Sequence, residues 1–307
     1  MTTEPTGSIR RRAAVLTTAI AVLAGTAACS LSTGEADENL QVVAAFSPLQ
    51  YVAERVGGPE VTVNTLTADG ADPHGVELSP AQVAELEAAD LIVYLSGMQA
   101  ATDEAVQMVE AEHVVDAADA AAADLGDRAG LHAPPDVRLD PHFWLDPVRM
   151  VLAADDVAVE LAARDPDGAE GYQQRAGELE ADLLDVDEQY AGALAACAGA
   201  TVVTSHEAFG FLAARYGLQQ VGIAGVDPEV EPSPARLREV SEVVREQDVQ
   251  TIYFEAMASP RVVETLAAEL GVGTDVLDPM ERGAGADYLE VMDANLRALQ
   301  DGLGCAA

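Results

Sequence analysis

Between residues 169 and 198 the chain reads AEGYQQRAGELEADLLDVDEQYAGALAACA, with no proline in the run. Tyr172, Ala176, Leu179, Leu183, Val186, Tyr190 and Leu194 recur at spacings of three and four, which is one apolar face of a helix. The pattern predicts a single helix over 169–196, roughly 40 Å long. A rigid rod of that length inside a 307-residue chain divides whatever lies on its two sides. On both sides the pattern is the same: short, β-rich apolar runs alternating with helical stretches. LQVVAAF, VTVNTLT, LIVYL and HVVDA read as strands at 40–46, 61–67, 91–95 and 113–117. ATVVTS, LQQVGIA, TIYFE and GTDVLD read as strands in the second half, with helices near 207–216, 234–247, 260–270 and 287–302. Strands alternating with helices imply parallel sheets covered on both faces. The expected fold class is therefore α/β: two Rossmann-like lobes at 39–168 and 197–307, joined by a long linking helix, with a cleft between them for a ligand. No repeat is visible at the level of sequence.

The punctuation agrees with these boundaries. Asp146 is placed to cap a helix that opens on Pro147, and DPDG at 165–168 closes it. The stretch AADAAAADLGDRAGLHAPPDVRLD, 117–140, is a low-complexity polar loop.

The beginning of the chain reads as an export signal. Arg10, Arg11 and Arg12 precede an apolar run from Ala13 to Ala28 that is too short and too rich in alanine and threonine for a permanent membrane helix. Small residues ending in Cys29 match a lipoprotein leader, with 1–28 removed, Cys29 lipidated and 29–38 left as a tether. Thr26 stands where such leaders usually carry leucine, and cleavage near Ala27–Ala28 without lipidation is the alternative. The whole chain carries a net charge of −37 and has no lysine. Such a surface excludes binding to a nucleic-acid backbone. Once Cys29 is set aside, Cys197 and Cys305 remain as an even pair in an exported protein, which predicts a disulfide.

Two of the five histidines stand in the same setting: ADPHG around His74 and LDPHFWLDP around His142. Proline stiffens the approach to each, and Asp-Pro favours a turn. A single copy would read as a loop with a surface histidine. Two copies, together with His206 in VVTSHEAFGF and Asp278 in VLDPM, bring three imidazoles and a carboxylate to strand ends, where open α/β sheets bind ligands.

These segments, DPHGVELSP, DPHFWLDP, VTSHEAFGFLAARYGL, EPSPARL, YFEAMASP and VLDPM, resemble in order and separation the metal-binding lipoproteins of zinc and manganese ABC importers. The resemblance covers nearly all of the chain after the leader. It implies an extracytoplasmic receptor, anchored by lipid to the membrane and monomeric, that holds one divalent cation in its cleft. It further implies delivery to a permease driven by a cytoplasmic ATPase. Carried over position by position, the metal ligands are His74, His142, His206 and Asp278, with no catalytic residues. Three imidazoles and one carboxylate suit Zn2+. The alternatives are a manganese or iron receptor of the same family and an adhesion lipoprotein. A zinc hydrolase is a weaker rival, because HExxH and GxSxG are absent. Glu255, Glu77 and Trp144 are candidates to brace the ligands from behind. His113, which opens a strand, and His132, in the acidic loop, have structural readings.

Overall fold

The computed structural model describes residues 39–109, 112–126, 130, 132–133, 135–136, 139–255, 260–281 and 287–305. The expected leader, Cys29 and the tether lie outside them. Among the described residues no helix is long and apolar enough to cross a membrane.

Two four-stranded sheets carry the architecture, and every strand pair is parallel. The first contains β1 (Leu40–Ala44), β2 (Val61–Thr65), β3 (Leu91–Tyr94) and β4 (Val114–Asp116), ordered β2-β1-β3-β4. The second contains β5 (Thr201–Thr204), β6 (Gln219–Gly222), β7 (Thr251–Phe254) and β8 (Gly273–Val276), ordered β6-β5-β7-β8. The two orders are the same, so the halves repeat a topology that the sequence does not display. In each sheet the chain leaves the first strand to one side, then returns to the other. This reversal opens a crevice beyond the carboxyl ends of the central strands.

Helices α1 (Ser47–Gly57), α2 (Pro80–Ala88), α3 (Ala100–Val109) and α4 (Ala118–Ala122) belong to the first half. Helices α7 (Gly210–Tyr216), α8 (Pro234–Glu246), α9 (Arg261–Leu270) and α10 (Tyr288–Leu303) belong to the second. Between them run α5 (Pro147–Arg164) and the long α6 (Ala169–Leu194). The periodicity read from sequence is the buried face of α6: Tyr172, Ala176, Leu179, Leu183, Tyr190 and Leu194 are all buried. Asp146 caps α5 through the backbone N–H of Val148, and Pro147 takes the first helical position, where its missing N–H costs nothing.

The linking helix is packed rather than free. The main apolar core includes β1 and β3 residues of the first sheet, the inner faces of α5 and α6, and Tyr253 and Leu299 of the second half. Arg175 of α6 donates to the carbonyls of Val56 and Gly57 at the end of α1. Tyr190 of α6 donates to the carbonyl of Met292 in α10 at 2.6 Å. Cys197, just after α6, is bonded to Cys305, just after α10.

Candidate metal centre

The site is built on Asp-Pro turns. In each, the aspartate carboxylate accepts the backbone N–H two residues on, while proline fixes φ between them. His74 N–H donates to Asp72 Oδ1 at 2.8 Å, His142 N–H to Asp140 Oδ1 at 3.0 Å, and Met280 N–H to Asp278 Oδ1 at 2.7 Å. The first two turns end on a histidine. The third carries the chain one residue further, through Met280 in the left-handed region at φ 61°, to Glu281. A non-glycine residue at such a φ is strained, and the strain sits beside the site. His206 arrives differently, two residues after β5, with its carbonyl held by Thr204 Oγ1 at 2.6 Å.

These segments bring His74, His142, His206 and Glu281 together, with one potential ligand atom from each lying within 4.8 Å of the others. The Nε2 atoms of His74, His142 and His206 stand 2.9, 2.5 and 3.5 Å from the same oxygen, Glu281 Oε1. The ring centroids of His142 lie 5.2 Å from those of His74 and 5.3 Å from those of His206. Glu281 Oε2 and His206 Nε2 are buried without a hydrogen-bond partner. Buried polar atoms are almost always paired. Two orphans at a point where imidazole nitrogens converge on a carboxylate fit a divalent cation as the missing partner.

Asp278, expected as the fourth ligand, is not in this cluster; Glu281 is. The reason is the turn. The Asp278 carboxylate is engaged by the Met280 N–H, and its backbone N–H and C=O are both paired with the side chain of buried Asn295 at 2.8 Å. Asp278 aims the loop, and Glu281, two residues beyond Pro279, reaches the histidines. At His74 and His142 too the aspartate is the hinge and never the tip, but there the ligand directly follows the proline, so the motif alone did not single out Glu281.

Behind the ligand atoms, carboxylates hold two of the rings. His142 Nδ1 lies 2.7 Å from Asp140 Oδ1, and His206 Nδ1 lies 2.5 Å from Glu255 Oε1, which also accepts from Ser205 Oγ. A carboxylate on Nδ1 fixes the tautomer that offers Nε2 to a metal. Gly210 lets the halves meet here, because a Cβ at that position would lie 2.2 Å from Asp140 Oδ2. Burial alone would disfavour charge on these imidazoles, but the flanking carboxylates outweigh it. The pKa of His142 is raised by Asp140 and Glu281, and that of His206 is pushed up to about 10 by Glu255 and Glu281. Burial would likewise push Glu281 up, yet the three imidazoles hold it well below the usual carboxylate range.

Trp144 is fully buried, with its ring 5.1 Å from that of His142 and its indole N–H donated to the carbonyl of Pro279 at 2.7 Å. It ties the loop of His142 to the loop of Glu281. Glu77 is exposed and outside the cluster. His113 pairs with Glu160 at 3.2 Å, and His132 is exposed, its backbone N–H donated to the carbonyl of Ala214.

Two parallel-sheet lobes joined through a long helix, with a buried histidine–carboxylate cluster in the cleft, define a two-lobed α/β solute-binding protein. The chain belongs to the family described as zinc-uptake complex component A, periplasmic (ZnuA), whose model matches residues 42–302. It is 34% identical over 288 residues to the zinc-binding lipoprotein AdcA of Streptococcus pneumoniae (strain ATCC BAA-255 / R6), covering 89% of this chain and 57% of that protein. It thus spans little more than half of that relative's length. It is 33% identical over 302 residues to the high-affinity zinc uptake system protein ZnuA of Bacillus subtilis (strain 168), covering 90% of this chain and 93% of that one. The crystal structure of Zn(II)-bound AdcA from Streptococcus pneumoniae superposes with a TM-score of 0.72 at 34% identity, over 86% of this chain and 58% of that one.

Proposed function

We propose that this protein is an extracytoplasmic receptor that binds one zinc ion through His74, His142, His206 and Glu281 and delivers it to an ABC importer. The observation that carries the reading is the convergence of three imidazole Nε2 atoms on a single buried carboxylate oxygen. Three neutral nitrogens and one anionic oxygen make a closed tetrahedral set for a borderline-soft ion. Manganese favours more oxygen ligands and higher coordination, and the intrinsic affinity order also places it below zinc. With four protein groups on the metal, no position is left for an activated water, which argues for a carrier over a hydrolase. The names of AdcA and the Bacillus subtilis protein, zinc-binding and zinc uptake, support the same cargo. A permease with its cytoplasmic ATPase is the partner that a receptor of this kind needs. Lipidation at Cys29 would keep the monomeric receptor at the membrane, with 39–168 and 197–307 as its lobes on either side of the helix at 169–196.

Calorimetry on metal-stripped protein tests this. One zinc per chain is expected, bound more tightly than manganese. Glu281→Gln lowers zinc affinity by about tenfold or more. Asp278→Asn, which still accepts the Met280 N–H, costs less. His206→Glu narrows the gap between the two metals. Tighter manganese binding, or a larger loss at Asp278 than at Glu281, would overturn the assignment.

A further inference from the structure

Glu281 reaches the histidines along a backbone path that does not hold itself. Met280, just before it, sits in the left-handed region at φ 61°, and a non-glycine residue stays there only where its surroundings over-determine it. The surroundings do so here. Asp278 N–H donates to Asn295 Oδ1, and Asp278 C=O accepts from Asn295 Nδ2, both at 2.8 Å. Pro279 C=O accepts the indole N–H of Trp144, and the Asp278 carboxylate takes the Met280 N–H. Three consecutive residues thus have backbone groups pinned immediately before the ligand. Asn295 is the group that grips one of them by both its N–H and its C=O. It is 2% exposed and stands on α10, a helix anchored by the Tyr190 hydroxyl and, past its end, by the disulfide.

The chemistry of the clamp suits its place. Buried Gln99 likewise donates to Pro73 C=O at 3.0 Å, and Gln220 to His206 C=O at 3.2 Å. Carboxamides therefore hold the segments of His74, His206 and Glu281. Away from the centre, guanidinium groups do this work: Arg149 holds carbonyls at the end of α4, and Arg175 holds carbonyls at the end of α1. A guanidinium beside the cluster would pair with Glu281 and repel a cation. An amide supplies the same donor without the charge.

We propose that Asn295 is a positioning residue for the metal centre: by clamping the Asp278 peptide it presents Glu281 through one oxygen and keeps the coordination number low. In the held position Oε1 faces all three histidine Nε2 atoms, while Oε2 is buried without a hydrogen-bond partner. Without the clamp Met280 relaxes out of the left-handed region, and Glu281 gains the freedom to turn both oxygens toward an ion. Two oxygens from one carboxylate suit the higher coordination of manganese, whereas a single oxygen beside three imidazoles suits zinc. Selectivity as well as affinity therefore depends on a side chain outside the ligand cluster.

This rests on the zinc reading above, and the experiment separates the two. Zinc and manganese affinities are measured by competition calorimetry on metal-stripped protein, and cobalt(II) is substituted as a visible probe of coordination number. Asn295→Ala should weaken zinc by about tenfold and manganese by less, and the strong visible bands of four-coordinate cobalt should fade toward the weak bands of higher coordination. Tyr190→Phe, which removes a structural bond to the same helix, should lower the melting temperature but leave the metal ratio and the cobalt bands unchanged. Should the alanine variant fail to fold, Asn295→Asp keeps the shape and the acceptor for Asp278 N–H and loses only the donor to Asp278 C=O. Its added charge acts on both divalent ions alike, so a narrowed zinc-to-manganese ratio is again expected. Zinc binding with an unchanged ratio and unchanged cobalt bands in a folded Asn295 variant would overturn the role of Asn295 alone. Failure of the unmutated protein to bind zinc would remove the underlying reading as well.

Discussion

Imidazoles that crowd one buried carboxylate make protons compete with a metal ion. Free histidine titrates near 6.5, whereas the carboxylates of Glu255 and Glu281 push His206 up to about 10 against the opposing effect of burial. The folded state therefore holds a proton that the unfolded chain has already lost between those values. That contribution to stability is complete below the unfolded pKa and disappears as pH rises through the folded one. Metal-free protein should melt at progressively lower temperature from pH 7 to pH 10. Zinc must expel the same proton, so its affinity should rise over that interval, and the added thermal stability on loading should grow with it. Differential scanning with and without zinc checks both signs; a metal-free melting temperature independent of pH would contradict the raised His206. The histidines were legible because histidine is scarce in this chain and two copies share one motif. Glu281 was not, because Asp278 offered a carboxylate at a strand end. What decides between them is backbone geometry: an aspartate that caps its own turn cannot also reach the centre of the cleft.

Helix α5 begins where the DPHFWLDP segment ends, so one aspartate serves both. Asp146 caps the helix and lies 3.4 Å from Arg149 and 3.3 Å from Arg215, all three side chains being buried or nearly so. Breaking a buried pair leaves charge without its partner. Arg149 would keep the carbonyls of Ala120, Ala121 and Ala123, and Arg215 would keep Asp187. Asp146→Ala should therefore cost about 3 kcal/mol, the low end for such losses, measured by denaturant unfolding. A loss within that of an ordinary surface change would mean the cap and the pairs contribute nothing. At this scale the sequence reading was close. The strand runs, the α5 start and the long α6 rest on local rules: alternation, capping and a three-four period. The shared sheet order was beyond it, because strand pairing joins residues far apart, and the halves repeat it with different side chains.

At the scale of the molecule, the Cys197–Cys305 bond closes a loop with a sequence separation of 108 and ties the last helix to the end of α6. In the chain-entropy model a loop of that size stabilises by about 5 kcal/mol. Reduction, or a Cys197→Ser Cys305→Ser variant, should lower the unfolding free energy by up to that amount; an unchanged midpoint would show the unfolded chain is not restrained by it. The cysteine pair was readable from count and export alone, whereas the core common to both halves was not, since it unites residues of the first sheet, α5, α6 and the second half that lie far apart in the sequence. One consequence of that packing is optical. The chain has a single tryptophan, and it lies buried against His142. A protonated imidazole quenches indole emission, and a metal-bound one carries no such proton. The fluorescence of the entire molecule thus reports the occupancy of one point, and zinc loading should change its intensity without any label.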